Sequence, residues 1–300
     1  MTLKFIDLFA GIGGFHIAFH NVGCKCVFAS EIDLHARKTY QYNLEKFDKE
    51  LFFSDNFNND ILKQDYNKIP DFDILCAGFP CQSFSQAGFK KGFEETKQSR
   101  GNMFFVLRDI IKAKRPKVIF LENVRHLLNH NEGETFSIIK KTIEKELEYD
   151  FYYQIVKASD FGLPQHRPRL YMIGFKKEDK YPRKFEFPKH IPLKLTMSDI
   201  LGGKCNKEIG YTLRVGGRGS SINDRRNWDA YLVNGKEHRL TVDEGKKMMG
   251  LPDWYEFPVS SVQAMKQLGN SVAVPAIQAV AQSIVDYVKT EITTDKKDKK

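Results

Sequence analysis

Leu3-Lys-Phe-Ile-Asp-Leu-Phe9 runs through Ala10 into Gly11-Ile-Gly13-Gly14, and then into Phe15, Ala18, Phe19 and Val22 at helical spacing, closed by Gly23. An apolar run, a glycine turn and an amphipathic stretch in that order read as strand, tight turn and helix. The unit repeats. Lys25-Cys-Val-Phe-Ala-Ser30 reads as a strand, Leu34 to Leu44 as a helix, Asp73-Ile-Leu-Cys-Ala77 as a strand, Met103 to Ile111 as a helix, and Lys117-Val-Ile-Phe-Leu121 as a strand. Such alternation predicts an α/β fold with a doubly wound, mostly parallel sheet and helices on both faces.

Phe136, Ile139, Ile143 and Leu147 predict a further amphipathic helix, and Arg169-Leu-Tyr-Met-Ile-Gly-Phe175 a late strand. From about Lys176 to Val262 the chain turns rich in Gly, Pro, Lys and Arg, with only short candidate strands such as Tyr211-Thr-Leu-Arg-Val215. Helical spacing returns at Val274, Ile277, Val280, Ile284 and Val288. The expected organisation is a first domain of residues 1–190 completed by 266–300, with a smaller irregular domain of 191–265 inserted. Asp295 to Lys300 reads as a frayed tail.

A chain of 300 residues, 41% hydrophobic, is long enough for one large core and a smaller second lobe. No apolar run approaches the roughly 18 residues of a membrane span, and charges break any signal-peptide pattern in Met1-Thr-Leu-Lys-Phe-Ile-Asp7. A soluble, cytoplasmic monomer is expected. Five cysteines without C-x-x-C spacing or paired histidines argue against a disulfide framework and against a metal site. The net charge of +9 is unevenly placed: residues 1–80 carry 8 basic and 11 acidic side chains, residues 151–250 carry 20 and 11. A positive second half suits a polyanion such as nucleic acid, although a basic face is often only a solvated one.

Gly78-Phe-Pro-Cys-Gln-Ser-Phe-Ser85 puts Cys81 just past the Asp73–Ala77 strand. In open α/β sheets ligands sit beyond the carboxyl ends of strands, so a thiol on that turn projects into the crevice. Buried cysteines usually act as small hydrophobes, the reading for Cys24, Cys26, Cys76 and Cys205 and the alternative for Cys81. The Gly11 turn has His16 where a dinucleotide fingerprint needs its third glycine, and no Walker lysine follows. Glu31, 20 residues after Gly11, stands where a carboxylate binds ribose hydroxyls. Together they suit a nucleoside cofactor without a pyrophosphate, such as S-adenosylmethionine. Glu122 follows the Lys117–Leu121 strand, at the same sheet edge as Cys81, where apolar neighbours would raise its pKa toward proton-sharing chemistry.

Taken in order, Phe5-Ile-Asp-Leu-Phe-Ala-Gly-Ile-Gly-Gly-Phe15, Ser30-Glu-Ile-Asp33, Asn59-Asp60-Ile61, Gly78–Ser85, Glu122-Asn-Val124, Gln165-His-Arg-Pro-Arg169 and Gln267-Leu-Gly-Asn-Ser-Val272 resemble the blocks of bacterial DNA (cytosine-5)-methyltransferases. The resemblance spans nearly the whole chain. It implies a methyltransferase-type sheet with a target-recognition domain, and methyl transfer from S-adenosylmethionine to C5 of a cytosine extruded from double-stranded DNA. It makes Cys81 the nucleophile at C6 and Glu122 the group at N3, with Arg167 and Arg169 contacting the cytosine or its phosphate. Phe9, Gly11, Gly13, Glu31, Ile32, Asp60, Ile61, Pro80, Asn270 and Val272 become cofactor contacts, and Gln82 and Ser85 lie near DNA on a loop spanning Gln82 to Arg100. Tyr211-Thr212-Leu213 resembles the family's recognition element, followed here by Arg214, Arg218, Arg225 and Arg226. Where the family's ninth block usually carries Arg-Glu-Cys, this chain has Asp243-Glu-Gly245, and the stretch before Thr212 is short.

Two other readings stand beside this one. Thiol attack at C6 serves an RNA, including a tRNA, cytosine-5 methyltransferase equally well, and a catalytically idle DNA-binding module would share the basic lobe. Kinship also implies a separate, cognate restriction endonuclease.

Overall fold

The computed structural model describes residues 2–80, 103–178, 181 and 184–297, the side chains of 291–297 excepted. Strands β1 (Lys4–Leu8), β2 (Lys25–Ser30), β3 (Phe57–Asn58), β4 (Ile74–Gly78), β5 (Val118–Val124), β6 (Tyr149–Lys157) and β7 (Pro168–Lys176) form one seven-stranded sheet, in the order β3-β2-β1-β4-β5-β7-β6. Pairs from β3 to β5 are parallel, and β7 runs antiparallel to both β5 and β6. The doubly wound, mostly parallel sheet therefore forms as the alternating pattern predicts.

The strands are apolar on both faces because both faces are covered. Ile74, Cys76, Val118 and Phe120 point into one core with α1 (Gly14–Asn21), α2 (Leu34–Leu44), α3 (Lys49–Phe53) and α9 (Val274–Lys297). Their chain neighbours Leu75, Ala77, Ile119 and Leu121 point into the other, with α4 (Met103–Lys114) and α5 (Glu134–Lys141). Each large apolar side chain so buried contributes roughly 1.5–3 kcal/mol. The helix expected through Leu147 keeps α-geometry only to Lys141 and continues as a widened π-helical turn over Thr142–Glu146.

By length and composition the apolar stretch Ser261–Thr290 would suffice to cross a membrane, against the expectation of no such run. Its stripe of Ile277, Val280, Ile284 and Val288 is instead buried at 0–1% exposure in the first core, which also holds Phe15 and Phe19 of α1. Cys24, Cys26 and Cys76 are buried as expected, whereas Cys205 is half-buried.

Irregular structure is expected over 176–262, yet that span holds α6 (Met197–Leu201), the hairpin β8 (Ala230–Val233) and β9 (Lys236–Arg239), and α7 (Val242–Met249). Asn234 and Gly235 turn the hairpin at φ 50° and 77°, the left-handed pair that a two-residue turn requires. Tyr211–Val215, expected as a strand, is not one. Its backbone groups bond to side chains, Tyr211 N–H to the Tyr231 hydroxyl at 2.8 Å and Leu213 N–H to Gln165 Oε1 at 3.1 Å. Glu244 caps α7 through Thr241, and an added Cβ at Gly245 would lie 3.0 Å from Leu268 in α8 (Ser261–Asn270). The Asp243-Glu-Gly245 departure thus keeps a capped and closely packed helix.

Candidate active site

Strand order reverses between β1 and β4, and at such a switch point a crevice opens beyond the carboxyl ends. The Gly11 turn leaves β1 there, and the Phe79-Pro80 turn leaves β4. Phe9 and Gly11 adopt φ of 54° and 55°, and an added Cβ at Gly11 would meet nothing within 4 Å. Gly13 and Gly14 serve packing instead. Added Cβ atoms would stand 2.4 Å from Leu44 Cδ1 and 2.6 Å from Val272 Cγ2. Of these glycines, Gly11 is the one with open space beside it.

Glu31 closes this turn. Its Oε2 accepts the Gly11 N–H at 2.7 Å and its Oε1 the Asp33 N–H at 2.8 Å. Burial raises its carboxyl pKa against the pull of those amides. Ile32 beside it is 74% exposed, an apolar side chain left in water at the crevice. Asp60 caps the short turn Ile61–Lys63 by accepting Leu62 N–H at 3.1 Å, while Ile61 is buried in the core. Asn270 is exposed at the end of α8, and Val272 is buried against Gly14. Open space beside Gly11, a carboxylate with lone pairs to spare and an exposed apolar face fit a nucleoside-bearing cofactor such as S-adenosylmethionine.

On the β4 side, Gly78 pairs with Glu122 across the sheet, and an added Cβ at Gly78 would lie 3.5 Å from Glu122 Oε2. Glu122 Oε1 meets Arg169 Nε at 3.0 Å, because β7 sets Arg169 opposite Val124. Burial raises the Glu122 pKa, while Arg169 and then Arg167 oppose the rise. Asn123, given no role from the sequence, donates from Nδ2 to the Phe79 carbonyl at 2.9 Å. Pro80 is exposed at the end of this turn. Cys81, Gln82, Ser85 and the rest of the expected Gln82–Arg100 loop lie outside the described residues.

Arg167 is placed differently from Arg169. It is 2% exposed, and its Nη atoms donate to the carbonyls of Leu213, Gly269 and Ser271. Arg169 is left as the arginine beside Glu122 at the crevice. The Thr212 hydroxyl donates to the His166 carbonyl. Arg214 donates to the Arg226 carbonyl at 2.6 Å, Arg218 to the Leu240 carbonyl at 3.4 Å, and Arg226 pairs with Asp224 at 2.8 Å, while Arg225 is exposed.

A family model described as C-5 cytosine-specific DNA methylase matches residues 3–216 and 212–286. The Type II methyltransferase M.HhaI of Haemophilus parahaemolyticus is 37% identical over 321 residues, an alignment covering 94% of each chain. The Type II methyltransferase M.SsoII of Shigella sonnei is 40% identical over 317 residues, covering 94% of this chain and 80% of its own. Among solved structures, the Entamoeba histolytica methyltransferase EhMeth superposes with a TM-score of 0.72 at 18% identity, over 97% of this chain and 99% of its own. That last likeness is one of fold.

Proposed function

The chain belongs to the C-5 cytosine-specific DNA methylase family, and from that premise we propose that it methylates C5 of one cytosine in a specific duplex sequence through a covalent bond from Cys81 to C6. The supporting observation is the Glu122–Arg169 ion pair, 3.0 Å apart, which joins buried Glu122 on β5, opposite Gly78 and thus next to the turn that leads into Cys81, to half-buried Arg169 on β7.

Phe9, Gly11, Glu31, Ile32, Asp60 and Asn270 would hold S-adenosylmethionine, which when bound would supply an electrophilic methyl on its sulfonium. The chain's own residues make C5 nucleophilic. Cys81 as thiolate adds to C6, and the ring's electron pair moves toward N3, where Glu122 delivers a proton. Burial of Glu122 favours the protonated carboxyl that this step uses. Arg169 orients Glu122 and contacts the base. C5 takes the methyl group as the thioether departs and the N3 proton returns to Glu122; a solvent base then removes the C5 proton, and the electrons left behind expel the Cys81 thiolate.

The target atom lies inside a stacked duplex, so the cytosine leaves the helix at a cost of a few kcal/mol, about the value of one to two phosphate or base contacts. Within the basic segment that follows Leu213, exposed Arg225 supplies a contact of that kind. The Type II relatives support a role, in the cytoplasm, in protecting DNA from a separate companion endonuclease.

Transfer of tritium from labelled S-adenosylmethionine to duplex DNA tests this reading. Cys81→Ala is expected to abolish transfer while sparing DNA binding, and a duplex with 5-fluorocytosine at the target should trap the wild-type chain covalently. Near-normal turnover by Cys81→Ala, or label appearing only in RNA, would overturn it.

A further inference from the structure

Both backbone polar groups of Leu213 are held by side chains from the segment that leads into β7. Gln165 Oε1 accepts the Leu213 N–H at 3.1 Å, and Arg167 Nη1 donates to the Leu213 carbonyl at 3.0 Å. Each holder is itself anchored elsewhere. Gln165 Nε2 donates to the Met248 carbonyl at 2.9 Å, and Arg167 Nη2 to the Gly269 carbonyl at 2.9 Å and to that of Ser271. The two segments are also joined along their backbones, His166 N–H to the Gly210 carbonyl at 2.8 Å and Gly210 N–H to the Pro164 carbonyl at 2.9 Å. Gln165, Arg167 and Leu213 are all exposed by 2% or less. An added Cβ at Gly269 would stand 2.6 Å from the Arg214 carbonyl carbon, so the next residue of the segment is hemmed in as well.

We infer that Gln165 and Arg167 are positioning residues that fix the register between the recognition segment 211–214 and the Glu122–Arg169 pair, and thereby set which cytosine is methylated. The inference rests on the function proposed above. Arg169 lies two residues beyond Arg167, a span of at most about 7 Å of extended chain, so the segment that grips Leu213 also carries the arginine beside the reacting base. A buried guanidinium leaves its carbonyl partners unpaired when removed, and replacements that cannot reach all three release the segment. A segment free to shift admits near-cognate sequences to the same crevice.

The experiment uses the full chain and a duplex library with randomised bases around one cytosine, with methylation read by bisulfite sequencing and stability by thermal unfolding. Arg167→Lys and the near-isosteric Gln165→Met are each expected to lower the ratio of cognate to near-cognate methylation about tenfold, the scale of one mismatched base pair. A folded variant that slows at every site by one common factor, with the ratio intact, would overturn the inference, since a direct contact to cytosine or a plain loss of stability produces that pattern. Absence of methylation by the unsubstituted chain would overturn the inference together with the function on which it rests, whereas an intact ratio in active variants strikes the inference alone.

Discussion

Asn123 donates its side-chain amide to the Phe79 carbonyl across 2.9 Å, tying β5 to the turn that leaves β4. Phe79 is followed by Pro80, whose ring fixes φ and removes a donor, and then by Cys81. With Asn123 oxygen accepting the Val124 N–H at 2.9 Å, the amide is held in a single orientation. The carbonyl it grips therefore lies two residues before the proposed nucleophile. Asn123→Ala is expected to slow single-turnover methylation by about 100-fold, the scale of an ångström-sized misplacement. Asn123→Asp should be worse, since a carboxylate faces the carbonyl it must hold. Rates within twofold of wild type for both would remove Asn123 from this role.

The raised pKa of Glu122 makes its role visible in a pH profile. Burial favours the neutral carboxyl, so the protonated form persists above the ordinary glutamate value of about 4.3 and is lost as pH rises through the higher folded value. Cys81 works in the opposite sense, because thiolate increases with pH. The single-turnover rate should therefore rise and then fall, a bell set by thiol and carboxyl. Glu122→Gln is expected to lower the rate about 100- to 10,000-fold and to erase the falling limb. A falling limb unchanged in Glu122→Gln assigns it to another group.

Asp7 carries a stability prediction. It lies in β1 with no exposure, and among the described residues neither carboxylate oxygen has a partner in hydrogen-bonding geometry. Burial first and the charge of Glu31 second push its pKa well up, while the nearby His16 amide and Tyr40 hydroxyl only partly offset this. The folded chain then holds a proton more tightly than the unfolded one. Its contribution is complete below the unfolded value of about 3.9 and is lost as pH rises through the folded value. Asp7→Asn, neutral at every pH, should lose less thermal stability than wild type between pH 5 and pH 8 on the scale of about 1 kcal/mol or more. Parallel melting curves across that range would show that the folded pKa of Asp7 is not raised.

The α/β layout and the cradle are legible in the sequence because each rests on local order. β1, the Gly11 turn and α1 are adjacent in the chain, and Glu31 follows at the end of the next strand. The hairpin is signalled too, by Asn234-Gly235 between Val233 and Lys236, within a stretch whose composition otherwise reads as irregular. The difference between Arg167 and Arg169 is not legible. They are two residues apart on a segment entering a strand, so both point to the same side by period alone, yet one meets three carbonyls and the other a carboxylate. Those carbonyls belong to residues 213, 269 and 271, and no local pattern reports a partner so distant in sequence.

Arg214, Arg218 and Arg226 are spent on contacts within the protein, which sets them apart from Arg225. Arg226 spends Nε and Nη2 on Asp224 at 3.1 and 2.8 Å, Arg214 donates to the Arg226 carbonyl at 2.6 Å, and Arg218 reaches the Leu240 carbonyl at 3.4 Å. The loop they brace is pinned further by Trp228 Nε1 on the Gly216 carbonyl at 2.8 Å and by Asn227 on the Ile222 carbonyl at 3.2 Å. Arg225 is exposed on this hydrogen-bonded loop with its guanidinium uncommitted among the described residues. A free fork matches guanine O6 and N7 in the major groove. Arg225→Ala is expected to relax preference at one base position by roughly 1–3 kcal/mol, about 5- to 150-fold, while preferences elsewhere hold. Arg226→Ala frees the loop and should weaken methylation at all sites together. Bisulfite sequencing of a randomised duplex library separates the two. If Arg225→Ala instead weakens every site equally and flattens the salt dependence, its guanidinium holds a phosphate and the base is read by another residue.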